Sequence, residues 1–123
     1  MEITFNGEEC TVDGPDEIPI GTHVFVFHNK SDLDVHLVPL RHYPEKTWHD
    51  AINWVEENCG PPGTHCAQTA SWMAGVPPER SVFDGLKTRY KQFDFTIAAE
   101  YSLWAESSAF LLWPCEPFFV VDE

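Results

Sequence analysis

The stretch Phe93-Asp94-Phe95-Thr96-Ile97 sets three apolar side chains two residues apart, with polar residues between them. Side chains of an extended chain point alternately to the two faces of a sheet, so this pattern predicts a strand with Phe93, Phe95 and Ile97 turned toward a core. The segments on its C-terminal side read similarly. Tyr101 to Trp104, Ala109 to Trp113 and Pro117 to Val121 are short apolar runs with tight connections, each predicted as a strand.

On the N-terminal side the alternation returns. Ile3 and Phe5 pair with Cys10 and Val12 as a hairpin, with Asn6-Gly7 supplying the positive φ angles of a tight turn. Gly14-Pro15 ends that unit, and Ile18-Pro19-Ile20-Gly21 reads as a rigid connector. From Thr22 to Phe27 both faces are apolar, which predicts a central strand covered on two sides. Val35 to Leu40 is the next strand, in which His36, Val38 and Leu40 share a face, so His36 is expected among hydrophobes.

One segment changes period. From Thr47 to Asn58 the residues Trp48, Ala51, Ile52, Val55 and then Cys59 fall on one side of a helix, with Thr47 as N-cap and Asp50 three residues on. Gly60-Pro61-Pro62 forbids continuation. Residues 60–90, rich in Pro and Gly, are expected to form an ordered crossover anchored by Ser71-Trp72-Met73 and Val82-Phe83. About seven or eight short strands and one helix make an all-β, antiparallel two-sheet sandwich the expected architecture. An immunoglobulin-like sandwich is the second reading, although it does not require a helix in the middle.

A chain of 123 residues fits a single domain over 1–123, and 43% hydrophobic residues suffice for its core. Seven Lys and Arg against twenty Asp and Glu leave a net charge of −13, which opposes binding to a phosphate backbone or an anionic membrane face. Nucleic acid is thereby excluded as a partner, and the acidic surface reads as a solubilising one. No apolar run approaches the roughly 20 residues of a spanning helix. Four cysteines in so short a chain are an even set that suggests disulfides formed outside the reducing cytosol. Met1-Glu2 runs directly into Ile3-Thr4-Phe5 without a leader, so an extracytoplasmic protein would need its export signal, or a lipid anchor, outside this segment. A cytosolic protein is the other reading of that start.

Three segments, Phe5-Asn6-Gly7-Glu8-Glu9-Cys10-Thr11-Val12-Asp13-Gly14-Pro15, Phe25-Val26-Phe27-His28-Asn29 and Lys46-Thr47-Trp48-His49-Asp50, resemble copper-free, cupredoxin-like domains of secreted or lipid-anchored bacterial proteins. The run Leu112 to Val121 looks like their last strand. The resemblance spans most of the chain and implies no catalytic residue. It also implies that Cys10, in the first hairpin, lies near Cys115, at the start of the last strand, so these two are paired, fastening both chain ends to one sheet.

A blue-copper site needs two His and a Cys with a weak axial ligand. Asn29 and His36 reproduce the first part of that pattern. Between Tyr101 and Pro117, however, there is no His or Met, Glu106-Ser107-Ser108 stands where Cys and His are expected, and Cys115 comes too late. No type-1 copper centre is expected.

Cys59 and Cys66 flank Gly60-Pro61-Pro62-Gly63-Thr64-His65, a loop that can fold back to form a second disulfide. Zinc held by Cys59, His65 and Cys66, with His49, is the competing reading, though the spacing matches no common finger. Six histidines are numerous for this length, and His36, His42, His49 and His65 form the alternative copper or zinc set. Trp54, Trp72 and Trp104 are either core anchors or a platform for a sugar or protein partner. Asn29-Lys30-Ser31 fits the glycosylation sequon. Hydrolase elbows, His-Glu-x-x-His and phosphate loops are missing, and neighbouring acids such as Glu8-Glu9 and Glu56-Glu57 diverge too far for acid-base work.

The functional expectation is a noncatalytic extracytoplasmic binding or structural domain without a cofactor, taking an unidentified protein or small ligand. A histidine-based copper or zinc domain is the first alternative. A thiol redox protein using Cys59 or Cys66 is the second.

Overall fold

The computed structural model describes residues 1–68, 70–76, 78–83 and 88–122, with 78–83 described through the backbone alone. Its strands are β1 (Glu2–Phe5), β2 (Cys10–Asp13), β3 (Glu17–Pro19), β4 (Gly21–Asn29), β5 (Val35–His42), β6 (Thr64–His65), β7 (Met73–Gly75), β8 (Pro78–Phe83), β9 (Thr88–Phe95), β10 (Ala99–Ser107) and β11 (Leu111–Val121). The helix α1 (Trp48–Asn58) lies between β5 and β6. One sheet has the order β2-β1-β4-β9-β8, the other β3-β11-β10-β5-β7, with β6 added beside β11.

This is the all-β sandwich that the alternation predicts, with mixed rather than purely antiparallel sheets. β1 runs parallel to β4, and β3 runs parallel to β11. The connector Glu17–Pro19 is thus a short edge strand, a position where Pro19 forfeits no interior ladder bond. The first hairpin has a wider turn than expected, in which only Gly7 takes positive φ. Its shape comes from Asn6, whose side-chain oxygen accepts the backbone N–H groups of Glu8 and Glu9.

Between the sheets, Ile3, Phe5, Phe25, Phe27, Phe93 and Phe95 from one meet Leu37, Tyr101, Leu103, Phe118 and Val120 from the other. β4 is central in its sheet but covered on one side only, since Val24 is 49% exposed. A second apolar cluster lies on the outer face of the other sheet. There Ala51 and Val55 of α1 bury Leu40, Trp104 and Leu112, with Cys66, Ala70 and Met73 of the crossover closing the rim. Thr47 and Asp50 form a reciprocal capping box at the helix start.

Two expected strands prove to be one. β11 is continuous from Leu111 to Val121, and its register with β10 shifts between Ser102 and Trp104. The extra residue on β11 reverses its alternation, so that Trp113 and Cys115 face the core before the shift and Phe118 and Val120 after it. Pro114 and Pro117, which cannot donate ladder bonds, flank this bulge. The crossover is less irregular than its Pro and Gly content suggests, because it contains β6, β7 and β8. Met73 is buried as the expected anchor, whereas the side chains of Val82 and Phe83 lie outside the described residues.

Candidate functional site

Both expected disulfides are formed. Cys10–Cys115 has a Cα separation of 4.7 Å and joins β2 of one sheet to β11 of the other, so it ties the two sheets together rather than fastening both chain ends to one. Cys59–Cys66, with a Cα separation of 5.2 Å, fastens the end of α1 to the crossover. All four cysteines are thereby paired, and none is free as a thiolate or a sulfur ligand in this structure. Two closed pairs are the arrangement typical of an oxidising compartment.

The histidines do not converge. His36 is exposed at the start of β5, opposite Glu106, and not among hydrophobes. The shared face of β5 does carry Val38 and Leu40 into the helix cluster, but the helix does not extend over His36. His49 is exposed on α1, and His65 is exposed with its ring edge toward Phe110. His42 is buried at the other end of β5, about 20 Å from His36 at the rise of an extended strand. Among the described residues no three His, Cys, Asp or Glu side chains gather as a metal site. The tryptophan platform is also absent, since Trp104 is buried and Trp54 and Trp72 pack partly buried against the helix cluster. In the sequon, the Asn29 amide nitrogen donates to the Leu33 carbonyl at 2.7 Å.

What the fold does assemble is a cavity of about 630 Å³ between the β5–α1 turn and the β9–β10 connection. Strand pairing sets Arg41 opposite Tyr101, which brings these two loops together. Lys46 N–H donates to the Tyr43 carbonyl at 3.2 Å, and Glu45 takes a φ of 75° to close that turn. On the facing side, the Tyr101 hydroxyl donates to the Ile97 carbonyl at 2.8 Å. Trp48 N–H donates to the Glu100 carboxylate at 3.1 Å, fastening the helix start to β10. Tyr43, Pro44, Ile97, Ala98 and Ala99 supply a largely apolar lining. Tyr43 and Ile97 are each nearly half exposed, as is Phe119, paired with Glu100 across the strands.

Charged groups border this apolar surface. Arg41 lies over the Tyr43 ring at 5.3 Å, and the Lys46 ammonium lies over the Trp72 ring at 5.4 Å. Among the described residues neither forms an ion pair, although the chain carries twenty acids. His42, in the cavity wall, is 2% exposed. Its Nε2 lies 2.8 Å from Ser102 Oγ, which also accepts the Trp104 indole N–H at 2.8 Å. An indole N–H can only donate, so the Ser102 proton is left to donate to Nε2, and the ring proton sits on Nδ1. The opposite tautomer would strand two buried groups instead of one. His42 Nδ1 is a buried atom without a partner.

Burial pushes the His42 pKa down from 6.5 to about 4, against a weaker upward pull from Asp50. The neutral ring is therefore favoured by folding, and its contribution is complete above pH 6.5. As pH falls from 6.5 toward 4 the unfolded chain takes up the proton first, and stability of order 3 kcal/mol is lost. Urea unfolding at pH 7.5 and pH 4 is expected to show this loss in the native chain and a smaller one in His42→Gln, which retains a donor and an acceptor for Ser102. An equal loss in both would remove His42 as the cause.

Fold and site together define a disulfide-bonded all-β sandwich, helix-covered on one outer face, with an open and largely apolar cavity at the end of β5 and β10. No protein-family model, curated protein or solved structure matches the chain. The cavity residues were not legible as a site because they fall in two segments, 41–47 and 97–100, fifty positions apart. Two of the chain's seven cations lying within six residues, at Arg41 and Lys46, was the signal available.

Proposed function

We propose that this domain is a noncatalytic binding module of cupredoxin-like architecture without a type-1 copper site, working outside the cytoplasm as a secreted or anchored protein. The observation that carries the reading is the cavity between residues 41–47 and 97–100, since small-molecule sites are concave, mostly apolar and furnished with a few polar groups. The two disulfides support the location, and the helix set into the crossover of a two-sheet sandwich supports the architecture.

The test uses 1-octanol as an apolar probe followed by backbone amide NMR. Saturable shifts are expected at residues 41–47 and 97–100, and Ala98→Trp, which fills the cavity from an exposed position, is expected to abolish them without unfolding the domain. A folded native chain whose cavity amides do not respond would refute the reading.

A further inference from the structure

We infer that the ligand of this cavity is a small amphipathic carboxylate, an apolar body carrying one anionic head. The inference rests on the binding reading above and adds the chemistry of the ligand.

Two features of the wall converge on it. The lining of Tyr43, Ile97 and Ala98 accepts an apolar body, because transferring such a body from water is favourable roughly in proportion to the area covered. Arg41 and Lys46 are the second feature. Each is held over an aromatic ring, which orients the cation without neutralising it, and among the described residues neither has a carboxylate at ion-pair distance.

The overall charge of −13 repels anions at long range, but at physiological salt that field is screened within about 8 Å, so the groups in the wall decide the sign of the ligand. Of the two acids there, Glu100 is already engaged by the Trp48 N–H at the positive end of α1, which offsets its charge. Glu45 is solvent-exposed on the turn. Asp50, at the start of α1, lies near enough to Lys46 for that cation to help hold its carboxyl ionised, but not at ion-pair distance, and Arg41 and Lys46 remain the cations of the wall.

The experiment compares octanoate, 1-octanol and octylamine, which share one apolar body and differ in head group, by amide NMR titration of the native chain and of Arg41→Gln/Lys46→Gln. Octanoate is expected to bind about tenfold more tightly than 1-octanol and octylamine more weakly than either, with shifts at residues 41–47 and 97–100. The double variant is expected to keep 1-octanol binding and lose the preference for octanoate. If all three bind there and 1-octanol or octylamine is preferred, the carboxylate inference falls and the cavity reading stands. If the preference for octanoate survives in the double variant, recognition by these two cations is overturned. If none of the three shifts the cavity amides, both readings fall together.

Discussion

Replacing Cys10 and Cys115 together by alanine is expected to destabilise the domain by about 5 kcal/mol, on the chain-entropy account of a cross-link. The bond closes a separation of 105 residues, almost the whole chain, so breaking it restores to the unfolded ensemble nearly all the conformations a linear chain has. The folded state also loses a tie between its two sheets, since β2 and β11 belong to different ones. Val12 N–H still donates to the Glu116 side chain at 2.9 Å, but a single exposed hydrogen bond contributes only about 1 kcal/mol. The same substitution at Cys59 and Cys66, separated by 7 positions, is expected to cost roughly 2.5 kcal/mol, because a short loop is already restricted. Urea unfolding of the two double variants checks both values. Equal losses would show that loop length is not what governs them. As a domain is typically stable by only 5–15 kcal/mol, the first variant is expected to be partly unfolded at body temperature.

Phe95→Ala is expected to cost about 3–5 kcal/mol, the usual range for emptying a buried aromatic site. Phe95 is fully buried between the sheets, with ring centroids 5.2 Å from Tyr101, 5.6 Å from Phe118, 5.8 Å from Phe25 and 6.2 Å from Phe93. Two of these pairs, with Tyr101 and Phe118, meet edge to face, each adding about 0.5–1.5 kcal/mol beyond the area they bury. The neighbours belong to both sheets, so the space cannot close by moving one side chain. Ile97→Ala, two residues along the same alternation, is expected to change stability by about 0.5 kcal/mol or less, because that side chain is 46% exposed. Thermal or urea unfolding of the two variants measures the contrast. A loss at Ile97 comparable to that at Phe95 would contradict the burial described for this segment.

That contrast also marks how far a periodic pattern can be read. Phe93, Phe95 and Ile97 are equivalent by alternation, yet β9 stops at Phe95 and the chain turns, leaving Ile97 at the cavity. Thr22 to Phe27 looks buried on both faces because Val24 and Val26 alternate with Phe25 and Phe27, but α1 covers the other sheet. Alternation is a property of one strand. Which sheet receives the helix is decided by where β5 ends and how its outer face, through Leu40, continues into Trp104 and Leu112.

The parallel pairings were invisible for a related reason. β1 beside β4 and β3 beside β11 carry the same alternation whichever way they run. The bulge in β11 interrupted the apolar pattern at Pro114 to Pro117, so one strand read as two. His36 and His42 shared a face as their spacing requires, but a strand rises about 3.3 Å per residue, and sharing a face over six residues does not bring two rings together.

By itself the amino-acid sequence determined what short-range physics controls: period-two strands, the helix with its Thr47 and Asp50 box, and loop glycines and prolines that let Cys59 reach Cys66. Tertiary structure decided everything that depends on distant segments meeting. The parallel pairing of β1 with β4 and of β3 with β11, the face that α1 covers, the separation of His36 from His42 and the cavity that the pairing of β5 with β10 sets between residues 41–47 and 97–100 are all of this kind. Local periodicity carries no information about which other segment lies alongside.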